Sequence, residues 1–106
     1  MDDRLKQILA ELRAILETAY GERLVNLVLF GSQARGDAEE GADIDVMVVL
    51  KGPVNSYEEI ERTGDAVSAL CLKHEVVISC VFMDGERFET RQGPLLRNIR
   101  REGVRI

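Results

Sequence analysis

A chain of 106 residues, 45% hydrophobic and 31% charged, has room for one core and is too apolar for a disordered segment, so it reads as a single domain over residues 1–106. Nineteen acids against fourteen Lys and Arg leave a net charge of −5, which disfavours general nucleic-acid binding because a polyanion needs a basic surface. No apolar run approaches the ~20 residues that span a bilayer, and the charged opening MDDRLKQ leads into no signal-like segment, so a cytoplasmic protein without membrane contact is expected.

Leu5, Ile8, Leu9, Leu12, Ile15, Leu16 and Ala19 recur at helical spacing, which predicts a first helix from residue 3 to about 19. Asp2 and Asp3 stand where a carboxylate caps free amides, and Gly21 is a stop. Leu24 to Phe30 is a short apolar run and predicts a strand buried on both faces or nearly so. Gly31-Ser32 breaks it, Gln33 to Arg35 form a helical turn, and residues 37–42 make a polar loop. Asp43 to Leu50 is the second strand, with Asp43 and Asp45 on one face and Ile44, Val46 and Val48 on the other.

Lys51-Gly52-Pro53 closes that strand, and Tyr57 to Lys73 reads as a helix. Ser56 is its expected cap, with Glu59 as the reciprocal partner of a capping box and Ile60, Val67, Leu70 and Cys71 as its apolar stripe. Glu75 to Met83 is a third strand, rich in β-branched residues. Asp84-Gly85 turns the chain, Arg87 to Thr90 form a short helix, and Pro94 opens a last helix with Leu95, Leu96 and Ile99 on its apolar face. Gly103 ends it, and Val104 to Ile106 form a strand tail.

A full helix between the second and third strands implies a parallel crossover, whereas the short link between the first two does not. The expectation is an α/β fold: a small mixed β-sheet with helices packed on one face, the other face open and carrying the aspartates. Cys71 and Cys80 read as reduced core residues, and His74, the only histidine, as a surface residue. Arg87, Arg91, Arg97, Arg100, Arg101 and Arg105 crowd the C-terminal segment. They suit a solvated helix face laced with ion pairs, or a contact surface for an acidic partner, a nucleotide's phosphates, or a homo- or hetero-oligomer.

The chemistry concentrates between Leu29 and Leu50. Two aspartates at i and i+2 on a strand point the same way, with Cα atoms roughly 6.6 Å apart. Carboxylates so spaced can grip a divalent cation, and magnesium prefers a few such oxygens plus substrate phosphates. Gly31 lets the backbone approach a ligand closely, and Ser32 adds a hydroxyl to the free amides that follow. Arg35 either meets a phosphate or fixes the loop through Asp37 or Glu39. The stretch is not a P-loop, since no Gly-Lys-Ser/Thr follows, and it contains no Gly-x-Gly-x-x-Gly.

Gly31-Ser32, ten residues, then Asp43-Ile44-Asp45, within LFGSQARG…ADIDVMVVL, resembles the signature of the polymerase-β-like nucleotidyltransferase superfamily. In particular the chain is similar to the minimal nucleotidyltransferases, the MntA-like antitoxins, over nearly its whole length. The resemblance implies a polymerase-β-like nucleotidyltransferase core that transfers a nucleoside monophosphate from a nucleoside triphosphate, such as AMP from ATP. Mg²⁺ would be held by Asp43 and Asp45, and the triphosphate by Gly31, Ser32 and Arg35. It also implies a HEPN-family toxin as partner and AMPylation of that toxin as the reaction. Two departures stand out. Ala42 replaces a family serine, and Ser79 occupies the mid-strand position where many members carry a third acid. Glu75, on Ser79's face by period two, is the candidate third catalytic carboxylate, with a solvent-facing edge charge as the alternative. The competing function is a nucleotide-binding module that neutralises a toxin by complex formation alone, and a nucleotide-responsive regulatory domain is a third.

Overall fold

A computed structural model describes all 106 residues. The first helix, α1 (Asp3–Tyr20), is capped by Asp2, whose carboxylate accepts from the Leu5 amide at 2.7 Å. It ends at Gly21, where φ is 54° and the amide returns to the Glu17 carbonyl. After one 3-10 turn come β1 (Leu24–Phe30), a short helix α2 (Gly31–Arg35), and β2 (Ile44–Leu50). The chain continues through α3 (Ser56–His74), β3 (Ile78–Asp84), α4 (Gly85–Thr90), α5 (Pro94–Glu102) and a two-residue β4 (Val104–Arg105).

The four strands form one mixed sheet in the order β3-β2-β1-β4. β1 is antiparallel to β2 and to β4, and β2 is parallel to β3 through the α3 crossover, as the spacing of elements predicts. The long helices α1 and α3 share one face: Leu5, Ile8, Leu12 and Leu16 pack with Leu27, Leu29, Ile44, Val46, Val48 and Leu50.

The expectation of an open opposite face needs correcting. Alternation along β2 turns Met47 and Val49 to that side, and such apolar surface needs cover. Phe88 of α4 and Leu96 and Ile99 of α5 supply it, together with Val28 of β1. Gly103 then lets the chain leave α5 and join the sheet edge as β4. A Cβ there would stand 2.4 Å from the Ile99 carbonyl and 2.5 Å from Val28, so no larger residue fits without moving the backbone. The start of β2 remains accessible, with Asp43 exposed and Asp45 half-buried.

Around α3 the local rules were outcompeted by packing. Asn55, not Ser56, is the cap, accepting from the Glu58 amide at 3.2 Å. Glu59 has no capping role; it is 2% exposed and accepts from the Tyr20 hydroxyl at 3.0 Å, with Arg62 at 3.4 Å. Burial first, and then the Glu59 carboxylate, push the Tyr20 phenol far above its ordinary value. Burying Glu59 and Thr63 turns Ile60 out to solvent, and Leu95 likewise lies outside the apolar face of α5. His74 is not a free surface residue: its side chain is largely covered and its Nε2 lies 2.7 Å from Glu11. Cys71 and Cys80 are free thiols against the core, and burial pushes the Cys80 thiol up to about 12.

Candidate active site

The site forms where β1 ends and β2 begins. Phe30, the last residue of β1, pairs with Asp45, so Gly31 and Asp45 are brought together by the antiparallel register. Gly31 adopts φ 73°, in the left-handed region that L side chains rarely occupy. A Cβ on Gly31 would also stand 2.5 Å from the Asp45 Oδ2. Glycine is thus required twice over, by backbone conformation and by the carboxylate lying against it.

Ser32 follows at the first turn of α2 and is half-buried. Its carbonyl accepts from the amides of Gly36 at 3.0 Å and Asp37 at 3.2 Å, which closes the turn. The Gln33 side chain reaches the Ala42 carbonyl at 3.3 Å and ties α2 to the residue before Asp43. The residues that follow β1 and the two aspartates are therefore held together by strand register at one end and by this bond at the other.

Five acidic residues are withdrawn from solvent: Glu11, Asp45, Glu59, Asp84 and Glu102. Glu11 is paired with Lys73 and His74, Glu59 with Arg62, Asp84 with Arg87, and Glu102 with Arg35 and Arg101. Asp45 alone has neither an ion pair nor a hydrogen bond in the chain. Burial, and then the charge of Asp43, raise its carboxyl above the ordinary 3.8. A half-buried carboxylate next to another carboxylate is unfavourable unless a cation joins them. The two aspartates supply hard oxygen donors, the ligand type that suits Mg²⁺.

Arg35 is committed to the loop: Nε lies 3.2 Å from Asp37, and a terminal nitrogen lies 3.6 Å from Glu102. Asp37 is the partner the sequence suggested; Glu102, contributed by α5, is one it did not. Arg35 thereby braces α2 against α5, and its exposed guanidinium lies one turn beyond Ser32.

Glu75 is not brought to the aspartates. The third strand starts at Ile78, three residues later than periodicity implies, and Glu75 is the C-cap of α3 with φ 55°. Val76 donates to the Cys71 carbonyl at 3.0 Å, so the chain is still leaving the helix there and alternation of faces does not yet apply. Glu75 lines a surface cavity of about 840 Å³ with Leu72, Val77, Glu39 and Glu40, to which neither Asp43 nor Asp45 contributes. No group of three His, Cys, Asp or Glu residues suited to a metal forms anywhere in the chain. The residue beside Asp45 on β3 is Ser79.

Residues 9–104 match the family model of the nucleotidyltransferase domain, and the chain belongs to that family. The matched stretch includes Gly31, Ser32, Asp43 and Asp45. A protein of Methanocaldococcus jannaschii named "Putative protein adenylyltransferase" is 35% identical over 89 residues, covering 83% of this chain and 83% of the relative. A solved structure described as a "putative minimal nucleotidyltransferase" superposes with a TM-score of 0.60 at 24% identity, covering 98% of this chain and 95% of that one. A toxin–antitoxin structure with AMP-PNP superposes with a TM-score of 0.67 at 19% identity, covering 91% of this chain and 69% of its counterpart. At those identities the two structures speak for the fold. No helix of the chain is long and apolar enough to cross a membrane.

Proposed function

We propose that this chain moves AMP from ATP onto a hydroxyl of a partner protein in a Mg²⁺-dependent reaction. We further propose that it acts in the cytoplasm as the antitoxin of a pair whose toxin is of the HEPN family. The observation that carries the reading is Asp45, the one withdrawn carboxylate without a cationic partner, lying beside Asp43 and against Gly31. The name of the Methanocaldococcus relative supports a protein as acceptor, and the toxin–antitoxin neighbour with AMP-PNP supports a toxin as partner and an adenine nucleotide as donor.

Asp43 and Asp45 would hold the ion; bound there, Mg²⁺ neutralises charge on the phosphates and orients them. Gly31 gives the triphosphate close access to the backbone. Ser32 would donate its hydroxyl, and the first amides of α2, which have no partner within the helix, would add further donors. Arg35, held by Asp37 and Glu102, stiffens this loop. The acceptor hydroxyl gives up its proton to solvent as its oxygen attacks the α-phosphorus, the bond from that phosphorus to the bridging oxygen of the β-phosphate breaks, and pyrophosphate leaves in line. Catalysis of this kind is mainly positioning and charge neutralisation.

The decisive experiment is transfer of labelled AMP from ATP to the product of the neighbouring reading frame by wild type and by the Asp43→Asn/Asp45→Asn variant. A loss of at least about 100-fold with an unchanged circular dichroism spectrum is expected; undiminished labelling would overturn the assignment. Ser79 in place of a third acid favours one other reading, a module that neutralises its toxin by complex formation. That reading requires the double variant to neutralise the toxin in cells as well as wild type does.

A further inference from the structure

β3 is an edge strand: β2 bonds it on one side, and no strand bonds it on the other. The Ile44 amide donates to the Val77 carbonyl, so alternation along a parallel pair turns the N–H and C=O of Ser79, Val81 and Met83 toward β2. Those of Ile78, Cys80 and Phe82 point outward, and no turn or loop group engages them. Long edges in native proteins are blunted by a charge, a proline or a bulge. Ile78 to Met83 contains none of these.

The helix above this edge carries a matching flank. α3 packs over β3, and its Glu59, Arg62, Lys73 and His74 turn toward α1. The flank turned away from α1 reads Tyr57, Ile60, Gly64, Val67 and Cys71, which is the alternating three-four spacing of a helix–helix seam. It holds no charge. Tyr57 is 73% and Ile60 55% exposed, and a Cβ on Gly64 would meet nothing within 4 Å. An unpaired strand edge and an uncovered apolar seam thus run side by side.

Charge selects the occupant. At the start of β3, Glu39, Glu40 and Glu75 line one surface cavity, and none of them is in an ion pair. Asp2 and Arg4 also line it; Asp2 caps α1 and Arg4 donates to the His74 carbonyl. Beyond the finish of β3, Lys51 and Arg91 line a second cavity, also unpaired, beside the Asp84–Arg87 pair and Glu86. An edge with an acidic start and a basic finish is complementary to its own copy run antiparallel, because each start then meets the other's finish.

We propose that β3 and the Tyr57–Cys71 flank of α3 form a two-fold interface between two copies of this chain, with the β3 strands antiparallel about Val81. That register sets Cys80 opposite Phe82, both outward residues, so that they exchange N–H and C=O bonds and the two sheets become continuous. Gly64 lets the two α3 helices approach closely, and Tyr57 of one packs against Cys71 of the other.

The test is sedimentation equilibrium together with amide hydrogen exchange followed by NMR, on wild type, Gly64→Glu and Ile60→Lys. Both substitutions put a charge on the seam at exposed or open positions, and Gly64→Glu replaces a poor helix former, so its melting temperature should hold or rise. Wild type should sediment at the mass of two chains, and both variants at the mass of one. The Cys80 and Phe82 amides should exchange at least about tenfold more slowly in wild type than in the variants, whereas Ser79 and Val81, already bonded to β2, should differ little. Lys51→Glu/Arg91→Glu should weaken the dimer about tenfold, and adding Glu39→Lys/Glu40→Lys to that chain should recover it. Wild type at the mass of one chain throughout would overturn the proposal and leave the edge to a strand of another protein. So would a dimer that both seam variants leave intact, or one whose Cys80 and Phe82 amides exchange as fast as in the single-chain variants.

Discussion

Replacing Gly31 by alanine separates backbone strain from damage to the site. The new Cβ would sit 2.5 Å from the Asp45 Oδ2, whereas ordinary contact begins near 3.4 Å, so the oxygen must retreat by about 0.9 Å. That atom is the end of a side chain and can rotate away, so the clash costs little stability. The left-handed backbone, φ 73°, costs an L residue about 1–2 kcal/mol. A displacement of about 1 Å in a group that orients substrate can cost on the order of 100-fold in rate. Gly36 provides the control: φ is 79°, yet a Cβ there meets nothing within 4 Å. Gly31→Ala and Gly36→Ala should therefore lose similar stability in urea melts. Only Gly31→Ala should lose Mn²⁺ affinity and about 100-fold in AMP transfer. Equal metal affinity and transfer in the two variants would refute the claim that Gly31 is kept small for Asp45.

Three further outcomes are expected. The folded state raises the Asp45 carboxyl above 3.8, through burial and then through Asp43. The protonated acid is thus favoured by folding: this contribution is fully present below pH 3.8 and is lost as pH rises through the higher folded value. Without metal at pH 7, Asp45→Asn should therefore raise the melting temperature and flatten that part of the pH profile, and Mg²⁺ should stabilise wild type but not the variant. A less stable variant with the wild-type pH profile would contradict this. Tyr20→Phe removes a hydrogen bond to the buried Glu59 carboxylate, leaving it to Arg62 alone. A loss of about 1–2 kcal/mol is expected in urea unfolding, and a neutral outcome would refute the role of that bond. Glu75→Gln should leave AMP transfer within about twofold of wild type, because Glu75 caps α3 away from both aspartates; a large loss of transfer would return Glu75 to the site.

Much of this architecture is legible from local pattern. The stripe from Leu5 to Leu16, the apolar run before Gly31 and the alternation after Asp43 yielded α1, β1 and β2 within one residue at each end. Helix-length spacing between β2 and β3 correctly implied their parallel pairing. Gly31-Ser32 and Asp43-x-Asp45 are visible because glycine at a strand end and paired acids at a strand's start each break the apolar pattern around them.

Other features depend on which distant segments meet. Nothing in the run around Glu59 reveals that Tyr20 waits across the helix pair to bury it, so a capping box was the natural local reading. Period-two counting back from Ser79 fails at Glu75 because α3 continues to His74 and the chain leaves it through a left-handed residue. The phosphate partner suggested for Arg35 competes with Glu102, which only the return of α5 beside α2 makes available. Local periodicity encodes which face a side chain takes, and so Gly31, Ser32, Asp43 and Asp45 stand out as candidate site residues in the sequence. Register and long-range packing encode who stands opposite. Only they could decide that Asp45 lies against Gly31, that no cation of the chain answers it, and that Ser79 stands at its side.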